Sequence, residues 1–159
     1  MATATAKTMG EVDARVLGRV LDEGYGPGAW HGADMKAALG DVTPELAFWR
    51  PSAERHNIAE IALHHAFYIH SVREKLSGTT AEPFVLDGDD WFALDSNGPL
   101  GWPEVLEVVE REQAALVVAA AGDRPRDQSA DERFGSVLGI TCHAVYHAGQ
   151  IQLLKKLHG

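Results

Sequence analysis

A single cysteine, Cys142, stands in a chain of 159 residues. One thiol excludes an intrachain disulfide framework and any CxxC site, and it suits a reducing compartment. Long hydrophobic runs are missing as well: no stretch of about 18 apolar residues occurs, and the opening MATATAKTMG lacks the apolar centre of a secretory signal. A soluble, cytoplasmic protein is the expectation. Positive charge is scarce, with 14 Lys and Arg against 23 Asp and Glu, a formal net charge of -9. Residues 76–110 hold eight carboxylates and no Lys or Arg. Nucleic acids and anionic membranes are both bound through clustered Lys and Arg, so neither is expected as a partner.

Several catalytic motifs are absent too. No GxSxG-type turn offers a nucleophilic serine. The glycines of GYGPG, residues 24–28, lack the spacing and lysine of a phosphate loop. With 45% apolar residues and this length, one domain spanning 1–159 is expected, with 1–8 frayed.

What is present is helical periodicity. Val12, Val16, Leu17, Val20 and Leu21 recur at helical spacing between Met9 and Glu23, which predicts a first amphipathic helix ending at GYGPG. HGADMKAALG allows a short helix, and Thr43-Pro44-Glu45 is a start signal for another that Arg50-Pro51 ends. A second long helix is predicted from Asn57 to Leu76, with Gly78 as its stop. From Thr79 to Trp102 there is no sustained periodicity, but four aromatics, and the segment reads as a long crossover loop that covers a site. Pro103 opens a third long helix to about Ala121, and a fourth starts between Asp131 and Ser136 and runs to about Leu157. The fold class is therefore all-α: a four-helix bundle with a long crossover loop between helices 2 and 3.

Histidines break the apolar faces of this bundle. His143 and His147 share a stripe with Ile140, Ile151 and Leu154, and residues four apart on a helix can reach one metal ion. Two hydrogen-bonded core histidines are the competing reading, because burying an unpaired imidazole costs about 1–3 kcal/mol and either partner removes that cost. On the facing helix, periodicity aligns His65 with Ile58, Ala62, Ile69, Val72 and Leu76, and His64 with Ile61 and Tyr68; either brings a third imidazole inward. His31, His56, His70 and His158 are expected at the surface or in loops, and Cys142 as a buried, inert thiol. His143-Ala-Val-Tyr-His147 lacks the glutamate of the HExxH metalloprotease motif. Glu60, one turn before His64, is either an acceptor for an imidazole or, more simply, a solvated helix residue. Tyr68 and Tyr146 are candidate phenol donors or rim packing, and Trp30, Trp91 and Trp102 are candidate walls of a substrate pocket.

The run His143-Ala-Val-Tyr-His147-Ala-Gly-Gln-Ile-Gln152-Leu-Leu resembles the last-helix signature of the DinB-like superfamily, and Asn57-Ile-Ala-Glu-Ile-Ala-Leu-His64 is similar to its second-helix pattern. With the Trp30-His31-Gly32 turn and the approach over 46–51, the resemblance covers roughly residues 10–157. It implies a metal-dependent bundle, commonly a homodimer, with His64, His143 and His147 as ligands of a divalent ion. Zinc or nickel comes first, and iron, manganese or copper are alternatives. His65 stands where the family pattern has an apolar residue. The resemblance also implies a thiol S-transferase that joins a small-molecule thiol to an electrophile. Metal-assisted hydrolysis, a non-catalytic metal or ligand-binding bundle, and a dimerisation protein whose histidines are only core residues are the alternatives.

Overall fold

The computed structural model describes residues 10–159, so the expectation of a frayed 1–8 lies outside the described residues. Among the described residues there are six helices and no strand: α1 (Ala14–Tyr25), α2 (Met35–Leu39), α3 (Pro44–Phe48), α4 (Ile58–Ser77), α5 (Trp102–Ala121) and α6 (Ala130–His158). No helix among them is long and apolar enough to cross a membrane.

Capping chemistry sets the helix starts. The Asp13 carboxylate accepts the Arg15 N–H at 2.8 Å, so α1 opens at Ala14 and not at Met9 as the apolar spacing implied. Thr43 caps α3 ahead of Pro44. Reciprocal capping boxes open the two site-bearing helices, Asn57 with Glu60 on α4 and Ser129 with Glu132 on α6. The second box starts α6 at Ala130, just ahead of the span read from sequence. Gly78 ends α4 in the left-handed region at φ 68°, where a Cβ would lie 2.9 Å from Pro125 Cγ.

The four long helices close a ring, α4 packing on α5 and α6 and α1 packing on the same two. One apolar cluster gathers Leu17, Leu21, Ile69, Leu76, Leu116, Val137 and Ile140, and a larger one gathers Ile58, Ile61, Leu63, Val105, Val109, Ala144 and Ile151. Each buried Leu or Ile contributes about 2 kcal/mol. The changeover falls between Ala66 and Ile69 on α4 and between Ile140 and Ala144 on α6, so these helices run antiparallel and their histidines sit near the boundary. Close approach of α1 seats α6: a Cβ at Gly24 would lie 2.9 Å from the Thr141 oxygen and 3.0 Å from Ala144 Cβ. At the far end the buried Arg133 donates to the carbonyls of Leu76, Ala119, Ala120 and Gly122, satisfying the C-terminal ends of α4 and α5.

Residues 79–101 contain no helix, and buried Phe92 and Leu94 pin the segment to the bundle. The stronger anchor is Glu60, which is 2% exposed and not solvated as its helix position suggested. The capping box turns its carboxylate back towards the seam between loop and helix. There it accepts from Arg50 at 2.8 and 2.5 Å and from the Leu94 N–H at 2.9 Å, and lies 3.0 Å from His56 Nδ1. The Leu94 carbonyl in turn accepts from Arg50 and Asn57. Burial pushes the Glu60 carboxyl up, but Arg50, the Leu94 N–H and His56 outweigh it and hold the group below its ordinary 4.5.

Glu60→Gln is therefore expected to lower stability by about 2 kcal/mol near neutral pH, read as a shifted urea midpoint. A depressed folded pKa stabilises above the ordinary value, and that stability is lost as the pH falls through the folded value. The gap between wild type and variant should shrink below about pH 4.5. A gap that stays constant into strong acid would contradict the network.

Candidate metal centre

Two helices carry the site. His143 and His147 lie one turn apart on the inner face of α6, and His64 faces them from α4. Each of the three offers a ring nitrogen within 4.8 Å of the other two. His64 and His147 are buried and His143 is half-buried. The spacing expectation for α6 and the family-derived choice of His64 on α4 meet in this cluster.

The second nitrogen of each ring has a protein partner. His64 Nδ1 lies 3.1 Å from the Asp90 carbonyl oxygen and 3.0 Å from Asp90 Oδ1; both oxygens only accept, so this nitrogen carries the hydrogen. His147 Nδ1 lies 2.6 Å from Gln150 Oε1, while Gln150 Nε2 donates to the Tyr146 hydroxyl at 3.2 Å. That orients the amide and puts the His147 hydrogen on Nδ1. His143 Nδ1 lies 2.9 Å from His65 Nδ1, and His143 Nε2 lies 3.2 Å from His147 Nε2. His65, which periodicity aligned with the core, thus touches the cluster through His143; it is 1% exposed, and its Nε2 is buried without a hydrogen-bond partner among the described residues.

Aromatic rings complete the surround. Trp91 lies flat against His64 at a centroid distance of 3.8 Å and against His56 at 3.7 Å, both at 8°. The Tyr68 ring stands 5.0 Å from His64 and 4.8 Å from His143. Of the three tryptophans expected to wall a pocket, only Trp91 is at the cluster. Trp102 is a core residue whose Nε1 donates to the Val42 carbonyl, and Trp30 is 92% exposed.

Other expectations need correction. His70 is buried, 3.3 Å from the buried Glu112 carboxylate, because α5 covers that face of α4; His31, His56 and His158 are exposed as expected. Cys142 is exposed, since the α6 face beside His143 points away from the bundle. Asp90 and Gln150 are the functional residues that sequence reasoning missed. Gln150 follows His147 at i+3, a spacing that identifies it as a neighbour. Nothing in the acidic run distinguishes Asp90 from Asp87 or Asp89.

The donor set fits a divalent ion. Burial, with the neighbouring imidazoles adding to it, pushes His143 down to about 4, and burial does the same to His147. Complete burial pushes His65 well below its ordinary 6.5. The rings are therefore neutral around pH 7, with lone pairs available to a metal. In metal-free protein, a histidine NMR titration should find His143 and His147 neutral from pH 8 to 5, with uptake near pH 4. Unfolded imidazoles take protons near 6.5 and these only near 4, so acidification across that window should also favour unfolding. Midpoints near 6.5 would show that water reaches both rings.

A family model described as DinB superfamily matches residues 29–151, over three quarters of the chain, and that span contains all three clustered histidines. No curated protein and no solved structure matches the chain. By its extent and by the helical fold it covers, the match establishes that the chain belongs to the DinB superfamily.

Proposed function

We propose that the protein is a divalent-metal-dependent thiol S-transferase in which His64, His143 and His147 are the metal ligands. The supporting observation is the convergence of three imidazoles, each with its other ring nitrogen held by Asp90, His65 or Gln150. When bound there, zinc, nickel or a related ion supplies Lewis acidity that lowers the pKa of a thiol it holds.

The protein's own residues do the rest. Asp90 and Trp91 fix the plane and tautomer of His64, and Gln150 those of His147, so the donors are set before any ligand arrives. Trp91 also keeps water from one face of His64. Burial, aided by the Asp90 carboxylate, raises the Tyr68 pKa, so its phenol stays protonated and can donate a hydrogen bond to a bound substrate. In the transfer the thiol sulfur forms a bond to an electrophilic carbon. Its proton leaves with the displaced group, or ends on the neighbouring carbon when sulfur adds across a double bond. The acidic surface supports a protein without nucleic-acid or membrane partners and the single cysteine a cytoplasmic one, and membership of the superfamily implies a homodimer.

Elemental analysis of protein purified without an affinity tag is the first test. Wild type should carry stoichiometric metal, and His64→Ala, His143→Ala and His147→Ala should lose it. His65→Ala should retain the site with about 10- to 100-fold weaker affinity. Thiol consumption across a panel of electrophiles should then depend on the metal. Chelator-sensitive turnover that needs no thiol would replace the transferase with a hydrolase, and a wild type without metal would remove the site altogether.

A further inference from the structure

Two grooves follow the seam between α4 and α6, one on either side of the histidine cluster. Towards the Gly78 end of α4, a groove of about 700 Å³ reaches His143 and Tyr68 and is lined by Glu74, Asp127 and Glu132 against one cation, Lys75. Towards the Asn57 end, a groove of about 480 Å³ is walled by Ile61, Trp91, Leu153 and Leu157, and its other lining includes Arg55 and Gln150. Among the described residues no carboxylate lines this second groove. Both volumes fall in the range of small-molecule sites.

Two residues of the second groove touch the cluster. Trp91 stacks on His64, and Gln150 Oε1 accepts the His147 Nδ1 hydrogen. None of the three clustered histidines lines this groove, so a molecule along this wall is one side chain, Trp91 or Gln150, away from the cluster. Its apolar surface is open, with Trp91 38%, Leu153 58% and Leu157 56% exposed. The Arg55 guanidinium makes no ion pair among the described residues, whereas Arg50 pairs with Glu60, Arg73 with Glu112 and Arg124 with Glu11. In a chain of net charge -9, an unpaired arginine beside an apolar wall is a local exception to a surface that repels anions.

We propose that this groove holds the electrophile, and that the electrophile is an apolar molecule carrying one negative charge, met by Arg55. The inference rests on the transferase reading and gives it a substrate class. The acidic groove on the far side of the cluster disfavours an anion and is left to the thiol.

Calorimetry with octanoate, octanol and octylammonium tests it, on the protein as purified and again after chelator treatment, with metal content measured alongside. Octanoate should bind about fivefold more tightly than octanol, the scale of one exposed ion pair, and octylammonium most weakly. Arg55→Gln should abolish the preference for octanoate and leave octanol unchanged, and Leu153→Asp should weaken octanoate and octanol. The proposal is overturned if octylammonium binds as well as octanoate, if Arg55→Gln has no effect, or if none of the three binds. It is also overturned if Leu153→Asp splits a dimer in sedimentation, which would assign the groove to a second copy of the chain. Metal retained with no effect of Arg55→Gln removes the groove assignment alone. Arg55-dependent octanoate binding in a protein that carries no metal as purified upholds the groove and removes the transferase.

Discussion

A buried carboxylate in the first turn of α4 governs where the crossover segment lies. Glu60 is out of water, and such a group is tolerable only when donors replace its hydration. Arg50, the Leu94 N–H and His56 do so, and by binding Leu94 they bind the loop. The Leu94 carbonyl is held as well, by Asn57 and Arg50, so this residue is fixed at both its polar backbone atoms. Asp90 and Trp91 lie a few residues earlier. With Leu94 and Phe92 pinned, the residues just before them are held over the helix, which lays Trp91 on His64 and brings the Asp90 oxygens to Nδ1. The same capping box that starts the helix thus decides the surroundings of a residue one turn further along it.

Adjacent histidines on α4 take different parts because of helical geometry. Neighbours on a helix point about 100° apart. With α4 packed between α5 and α6, one of the pair faces the loop side of the seam and the other faces deeper into it. His64 is accordingly covered by Trp91, while His65 is almost fully enclosed and meets His143 from behind. Periodicity alone favoured His65 because it measures how apolar a face is, and the most apolar face of α4 is indeed the one His65 shares. The cluster forms one position away, at the edge of that face.

The bundle was legible because its helices announce themselves by apolar spacing and by caps that act over three or four residues. Asn57, Thr43, Pro103 and Gly78 all mark boundaries close to those observed. The start of α1 was misread because Val12 continues the apolar register while its side chain packs on the core from outside the helix. His143 and His147 were legible for the same reason the helices were. Glu60, His70 and Trp102 were not, because each owes its burial to a segment distant in sequence: 79–101 for Glu60, α5 for His70, and the Val42 turn for Trp102. Asp90 belongs to that group too, being placed by contacts of Leu94 that no local pattern encodes.

The imidazole chain explains why a buried His65 is compatible with a metal site and what it contributes to one. With the His147 hydrogen on Nδ1, its Nε2 is a lone pair facing His143 Nε2 at 3.2 Å. Without an ion, His143 must donate from Nε2, and His65 then donates to His143 from its own Nδ1. Freeing the His143 Nε2 lone pair moves its hydrogen to Nδ1 and reverses the bond to His65, whose hydrogen moves to Nε2. Both rings stay neutral throughout, so no charge is buried in either arrangement. An aliphatic residue at position 65 would leave the His143 Nδ1 hydrogen without a partner in the deep half of the bundle, a loss of about 1–3 kcal/mol that falls on the metal-bound arrangement. The unpartnered Nε2 of His65 is the residual cost of an acceptor that works in both directions.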